Sequence, residues 1–303
     1  MIPVPPAIQR VPWKLIALLG AIVAFDLLVL YSAAGGSWSP WAWQQGVRFL
    51  IFLGVMLGIS RMPLRIFEDF SYLGYLGVLL LLVAVELLGF VGGGSQRWLN
   101  LGFMNLQPSE LMKVAIVLAL ARFYAQLPPG NTRTFTALWP ALAAIGVPAA
   151  LVMLQPDLGT ALAISIGGVV VMFVAGLPFW WFGSAAGAGA AALPVLFSML
   201  HDYQQKRILI FLDPESDPLG AGYHISQSKI AIGSGGIGGK GFLNGSQSHL
   251  DYLPEGHTDF IFATMAEEWG LIGGLVLLFA FFLLIRWGAR VALRARTRFC
   301  QLT

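Results

Sequence analysis

Charge is what this sequence has least of. Asp, Glu, Lys and Arg make up only 11% of its 303 residues, where soluble domains carry about 25%. So little polar surface cannot clothe a water-soluble globule of this size. The formal net charge of +3 is too modest to argue for a nucleic-acid partner, and none is expected. Cysteine is almost missing as well. Cys300 stands alone, which excludes an intramolecular disulfide and any cysteine metal site. Among the histidines, His201, His224 and His249 show no H-x-x-x-H spacing, so they are read as solvated or hydrogen-bonded side chains and not as metal ligands.

What the sequence has is hydrophobic length. Apolar residues make up 57% of it, gathered in runs of about the 20 residues that cross a bilayer. The runs predict spans near 14–34, 46–61, 72–91, 110–127, 136–154, 158–176, 178–200 and 259–286. The expected fold class is therefore all-α: a polytopic membrane protein of about eight transmembrane helices, with one large polar loop at 201–258 before the last. The first run follows Arg10 and Lys14 and ends near Ser32-Ala33-Ala34, in the manner of a signal peptide. It is longer than a signal core and more spans follow it, so it is read as a retained first span.

An even number of spans puts both ends of the chain on one side. With the N-terminal end inside, the cytoplasmic segments hold Arg10, Lys14, Arg61, Arg65, Arg122 and Arg133 and the tail cluster Arg286, Arg290, Arg294, Arg296 and Arg298. The short outer loops hold little more than Arg97. This positive-inside asymmetry predicts a bacterial cytoplasmic-membrane protein with both termini cytoplasmic and residues 201–258 outside. Polar residues then concentrate on the outer face, where a loop of that length is seldom idle. Trp38, Trp41 and Trp43 are read as anchors in the headgroup belt.

Several outer-face motifs carry candidate chemistry. GSGGIGGKG at 233–241 formally contains G-x-G-x-x-G but lacks the strand before and helix after that a dinucleotide site needs. It reads instead as a flexible turn or a nest of backbone N–H groups. Gln107-Pro108-Ser109-Glu110 opens the fourth span with good helix-start residues, and Lys113 lies one turn deeper on the face of Glu110. The two read either as an interfacial ion pair or as a polar group facing a cavity. Asp157 sits in the turn of LQPDLGTA, as a helix cap or a functional carboxylate. Asp26 and Glu86 lie within spans and must face the bundle or be protonated.

The richest stretch is LPEGHTDF at 253–260, where the large loop re-enters the membrane. Thr258 is a plausible N-cap, with Asp259 in the first turn. The helix dipole favours the ionised carboxylate while the membrane edge strips its water, a setting that suits a general base. Glu267 and Glu268 lie roughly 12–14 Å deeper at 1.5 Å per residue. Two adjacent buried glutamates are costly, so at least one is expected to bond to another helix, with a proton pathway as the functional alternative.

Four stretches together, SQRWLNLGFMNLQPSELMKVA (95–115), LQPDLGTALA (154–163), QQKRILIFLDPESDPLGAGYHISQSKIAIGSGGIGGKG (204–241) and LDYLPEGHTDFIFATMAEEWG (250–270), resemble the SEDS family of shape, elongation, division and sporulation proteins. The loop resembles the RodA-like elongation branch more than the FtsW-like division branch. The resemblance covers nearly the whole chain and implies one SEDS domain. It also implies a glycosyltransferase that polymerises lipid II into glycan strands at the outer face of the cytoplasmic membrane. By the same resemblance Asp259 is the essential catalytic aspartate, either as a base or as a metal ligand. Trp98, Glu110, Lys113, Asp157, Arg207, Lys240 and His257 are implied substrate-groove positions, with Lys113 and Arg207 countering pyrophosphate charge. A divalent cation, magnesium or manganese, is implied as cofactor, with no organic cofactor. The implied partners are a class B penicillin-binding protein and other membrane proteins of the elongation complex. The family usually has ten spans, so two C-terminal helices are expected to be missing from these eight. The alternatives are a lipid-linked precursor transporter and a non-catalytic scaffold of the wall-building complex.

Overall fold

The computed structural model describes residues 11–88, 90–92, 95–100, 105–128, 130–199, 205–206, 208–210, 213, 217, 220–249, 252 and 256–303. Arg10, His201 and Arg207 lie outside the described residues, as do Asp251 and Glu255. The described part of the chain is overwhelmingly helical. In order it forms α1 (Trp13–Ala33), α2 (Trp41–Ile59), α3 (Leu64–Leu88), α4 (Pro108–Gln126), α5 (Phe135–Leu154), α6 (Leu158–Val174), α7 (Phe179–Met199), α8 (Ala221–Ser234), α9 (Ser246–His249), α10 (Ile261–Leu293) and α11 (Arg298–Leu302).

Each of the eight predicted spans falls on one of the long helices α1 to α7 and α10. Of these α1, α2, α3, α5 and α10 are long and apolar enough to cross a membrane, and α6 is a shorter apolar helix. The boundaries differ where polar residues were taken as stops. α2 already begins at Trp41, and α3 begins at Leu64 because Glu68 and Asp69 are tolerated in its first turns. α10 runs on to Leu293 because arginines are favourable at a helix C-terminus. Large apolar side chains such as Phe52, Leu87 and Ile285 stay exposed along these helices, as a lipid solvent requires.

Between α3 and α4 the chain forms three short antiparallel strands that hydrophobic periodicity did not suggest. These are β1 (Phe90–Gly92), β2 (Ser95–Asn100) and β3 (Asn105–Leu106), in the order β1-β2-β3 with Trp98 opposite Phe90.

The chain divides into two compact units. The first comprises Met1–Arg61 and Leu193–Ala289, the second Met62–Ala192 and Arg290–Thr303. In the second unit α4 is the most enclosed helix, burying Met112, Ile116, Leu120 and Tyr124. α5 and α6 approach closely at Gly168, where an added Cβ would meet Ile145 at 2.5 Å. Such small-residue contacts let helices pack without help from the hydrophobic effect. Two tyrosines tie α5 to its neighbours: Tyr124 donates to the Ala137 carbonyl at 3.0 Å and Tyr75 to that of Ala144 at 2.9 Å. Ala144 is the residue whose helical donor would be residue 148, and Pro148 has no N–H. The tyrosine hydroxyl thus replaces the missing backbone donor. α11 buries Phe299 and Leu302, and Arg298 donates to the Ala175 carbonyl at the end of α6.

In the first unit α10 is not one continuous helix. Gly270 has φ 61° and ψ −161°, conformations closed to other residues in practice, and the helix breaks there. The broken ladder is repaired from outside. The Glu267 and Glu268 carbonyls accept from the N–H groups of Lys240 and Gly241 at 2.9 and 3.0 Å. The N–H groups of Leu271 and Ile272, which a regular helix would give to those carbonyls, go to Gly236 and Ile237 at 2.9 and 3.1 Å. The glycine run is therefore spliced into the helix. No side chain fits at the contact: an added Cβ at Gly235 would lie 2.0 Å from the Ala266 carbonyl oxygen, and one at Gly239 2.0 Å from that of Glu268.

Candidate functional site

The second unit holds four of the residues singled out in the sequence. Glu110 and Lys113, in the first turn and a half of α4, form an ion pair of 2.7 Å on a largely exposed face. Asp157 closes the turn between α5 and α6 and caps α6. Its carboxylate accepts from the Thr160 N–H at 3.1 Å and the Thr160 hydroxyl at 2.9 Å. A third partner, Arg97 on β2, sits 3.4 Å away and was not foreseen. The Arg97 guanidinium also donates to the carbonyls of Gln155 and Pro156 at 3.1 and 2.6 Å, so it grips the whole turn. Trp98, next to Arg97 on β2 and opposite Phe90, is half-buried.

The first unit holds Lys240, His257 and Asp259. Residues 256–260 form a turn, and α10 starts only at Ile261, two residues later than the capping pattern suggested. The Ile261 N–H reaches the Thr258 carbonyl and the Thr264 N–H that of Phe260, while the Thr264 hydroxyl ties back to the Gly256 carbonyl at 3.1 Å. Asp259 thus sits on the turn ahead of the helix. It is exposed, not partly buried as expected, and makes no hydrogen bond or ion pair among the described residues. Two residues before it, His257 stacks flat on Trp41 with ring centroids 3.9 Å apart and an interplanar angle of 8°. Trp41 was read as a membrane anchor; here it backs the His257-Thr258-Asp259 turn.

Deeper along α10 the two glutamates are fully enclosed and bonded, as their burial demanded. Glu268 accepts from Ser32 of α1. Glu267 accepts from the Lys240 ammonium at 2.6 Å, from the Ser246 hydroxyl at 3.2 Å and from the Gln247 N–H at 3.0 Å. Lys240 also donates to Ser246 at 2.8 Å. Within α1, Asp26 is partly buried. Among the described residues no group of three His, Cys, Asp or Glu side chains gathers as metal ligands do. Among the described residues Asp259 by itself is no chelating set.

Several long apolar helices, with Asp259 uncommitted among the described residues on the turn ahead of α10, define a multi-pass helical membrane protein. The chain belongs to the FtsW/RodA/SpoVE cell cycle protein family, whose profile matches residues 7–303. It is 45% identical to the peptidoglycan glycosyltransferase MrdB of Escherichia coli, over 95% of this chain and 77% of that protein. It is 36% identical to a probable peptidoglycan glycosyltransferase FtsW of Coxiella burnetii, over 90% of this chain and 75% of that one. A solved peptidoglycan synthase complex that coordinates polymerization and crosslinking contains a chain of similar fold. Its TM-score is 0.78 at 33% identity, covering 97% of this chain and 81% of that one. The rod shape determining protein RodA of Thermus thermophilus matches with a TM-score of 0.67 at 28% identity, covering 97% and 79%.

Proposed function

We propose that this chain is a peptidoglycan glycosyltransferase that polymerises lipid II at the outer face of the bacterial cytoplasmic membrane during elongation. Both ends of the chain lie on the cytoplasmic side, and a penicillin-binding protein that crosslinks the product is its partner. The relatives' activity supports the reaction class. The observation that carries the assignment to a residue is the state of Asp259. Glu110 is paired with Lys113, Asp157 with Thr160 and Arg97, Glu267 with Lys240, and Glu268 with Ser32. Asp259 alone among these acids is exposed and uncommitted.

In the reaction an acceptor sugar hydroxyl attacks the anomeric carbon of the donor. The new glycosidic C–O bond forms as the bond to the lipid pyrophosphate breaks, and the departing pyrophosphate keeps the electron pair. The hydroxyl proton passes to the Asp259 carboxylate, a task open to a carboxylate with free lone pairs within hydrogen-bond reach. Trp98, Lys113, Arg207 and His257 are assigned to binding lipid II, with the cations balancing pyrophosphate charge. Asp157 serves by keeping its own turn in place.

A transporter built on a broken helix leaves the polar groups at the break to bind ions or substrate. At Gly270 the four groups freed by the break are taken by the glycine run, which disfavours that reading. The test is purified protein with lipid II, its products resolved as glycan ladders. Ladders from the wild type and none from Asp259→Ala are expected. Undiminished ladders from Asp259→Ala would remove the catalytic assignment, and transbilayer movement of lipid II without polymer would replace the reaction with transport.

A further inference from the structure

We infer that Lys240 and Glu267 form a positioning pair that holds the Asp259-bearing segment, and that Lys240 serves the reaction through Glu267 and not by touching the substrate. The inference rests on the assignment of Asp259 just made. Between Asp259 and the break at Gly270 lies a short rod, the first turns of α10. Its outer end is tied by the Thr264 hydroxyl to Gly256. Its inner end is tied by the Glu267 carboxylate, fully enclosed, to three donors from residues 240–247. The backbone of the same loop completes the ladder of the same rod through Lys240 N–H and Gly241 N–H. Lys240 therefore meets α10 twice, by its amide and by its ammonium.

A surface lysine meant for a phosphate would point its ammonium at solvent. Here the ammonium lies 2.6 Å from a buried carboxylate and 2.8 Å from a serine hydroxyl, and the side chain is only 28% exposed. Removing one member of such a pair strands the other charge without compensation, whereas removing both does not. A rod freed at its inner end lets its outer end drift, and misplacement of about 1 Å at a reacting group costs about 100-fold in rate.

The experiment compares Lys240→Met, Glu267→Gln and the double variant by polymerisation of lipid II and by amide hydrogen exchange over residues 256–272. Lys240→Met is expected to lower kcat by about 10- to 100-fold with KM for lipid II nearly unchanged, and to speed exchange at Leu271 and Ile272. The double variant is expected to recover most of the lost rate, because the neutral amide that replaces the Glu267 carboxylate still accepts from Ser246 and Gln247. A raised KM with kcat intact, or a double variant no better than Lys240→Met, would overturn the inference and return Lys240 to the substrate. Should Lys240→Met fail to fold, Glu267→Ala decides alone, since it removes the acceptor of all three donors and leaves an ammonium that reaches water. Lower kcat with faster exchange supports the pair, and wild-type kcat with wild-type exchange refutes it. If Asp259→Ala polymerises normally in the same preparation, the functional reading fails while the exchange data still judge the pair.

Discussion

Gly270→Ala isolates what the glycine splice contributes. The altered chain has two ways to respond, and the cheaper one sets the cost. If the break is kept, the new Cβ lies 2.3 Å from the Gly239 nitrogen and 2.6 Å from the Ile237 carbonyl oxygen. It must also adopt φ 61° and ψ −161°, a conformation costing about 1–3 kcal/mol for a residue with a side chain. The clash adds about 1–3 kcal/mol. If instead α10 straightens, Leu271 and Ile272 regain Glu267 and Glu268 as acceptors, and the loop is expelled. Four cross-chain hydrogen bonds then become two helical ones. The net loss of two, at about 1 kcal/mol each, comes to about 2 kcal/mol before any loss at Lys240 and Ser246.

Keeping the break costs about 2–6 kcal/mol and straightening at least about 2, so the cheaper route sets Gly270→Ala at about 2–4 kcal/mol. The control is Gly274→Ala, one turn on, where an added Cβ meets nothing closer than Phe262 at 3.9 Å. In a regular helix that change is neutral or stabilises by about 0.5–1 kcal/mol. Melting in detergent followed by tryptophan fluorescence, with Trp269 adjoining the break, measures both. Equal melting temperatures for the two variants would refute the splice as a source of stability. A destabilised Gly274→Ala with an intact Gly270→Ala would refute the assigned position of the break.

Four further outcomes are expected. Asp157→Ala should cost about 1–2 kcal/mol through loss of the α6 cap, with Asp157→Asn retaining most of it; melting that ignores both variants, with polymerisation abolished, would show that the side chain serves substrate instead. Trp41→Ala should slow polymerisation by about 2- to 10-fold, the rate equivalent of a ring stack, and Trp41→Phe should restore most of it; a wild-type rate for Trp41→Ala would end its role behind His257. Tyr75→Phe should destabilise by about 1–3 kcal/mol, because the Ala144 carbonyl has no N–H at residue 148 to fall back on; an unchanged melting curve would contradict this. Manganese titrated into lipid-free protein should show no paramagnetic-resonance signature of a site that Asp259→Ala removes; a saturable, Asp259-dependent site would show that the protein itself holds the cation.

What could be read in the sequence was what local chemistry decides. Eight hydrophobic runs became eight long helices because bilayer thickness acts on each run separately. At least one of the adjacent glutamates was expected to bond to another helix because two buried carboxylates are costly, and Glu268 does so through Ser32 of α1. Features made by two distant segments were not legible. Arg97 and Asp157 lie 60 positions apart, and nothing at either place names the other, so the aspartate read only as a cap or a functional carboxylate. The three strands between α3 and α4 are too short to show a period of two.

The glycine run is the instructive case. GSGGIGGKG read as a flexible turn or an anion nest because glycines free backbone groups, and the ligand for those groups was assumed to come from outside the protein. The ligand is the protein's own helix, and its mark in the sequence is Gly270, the first of three glycines within the last apolar run. Gly235 meets the Ala266 carbonyl and Gly239 that of Glu268, two residues apart on the last turn before the break. A glycine-rich segment matched to a glycine within a span is therefore a signal for splicing. Here it predicts that Lys240, carried on the glycine run, is held where its ammonium meets Glu267 and not where it meets solvent.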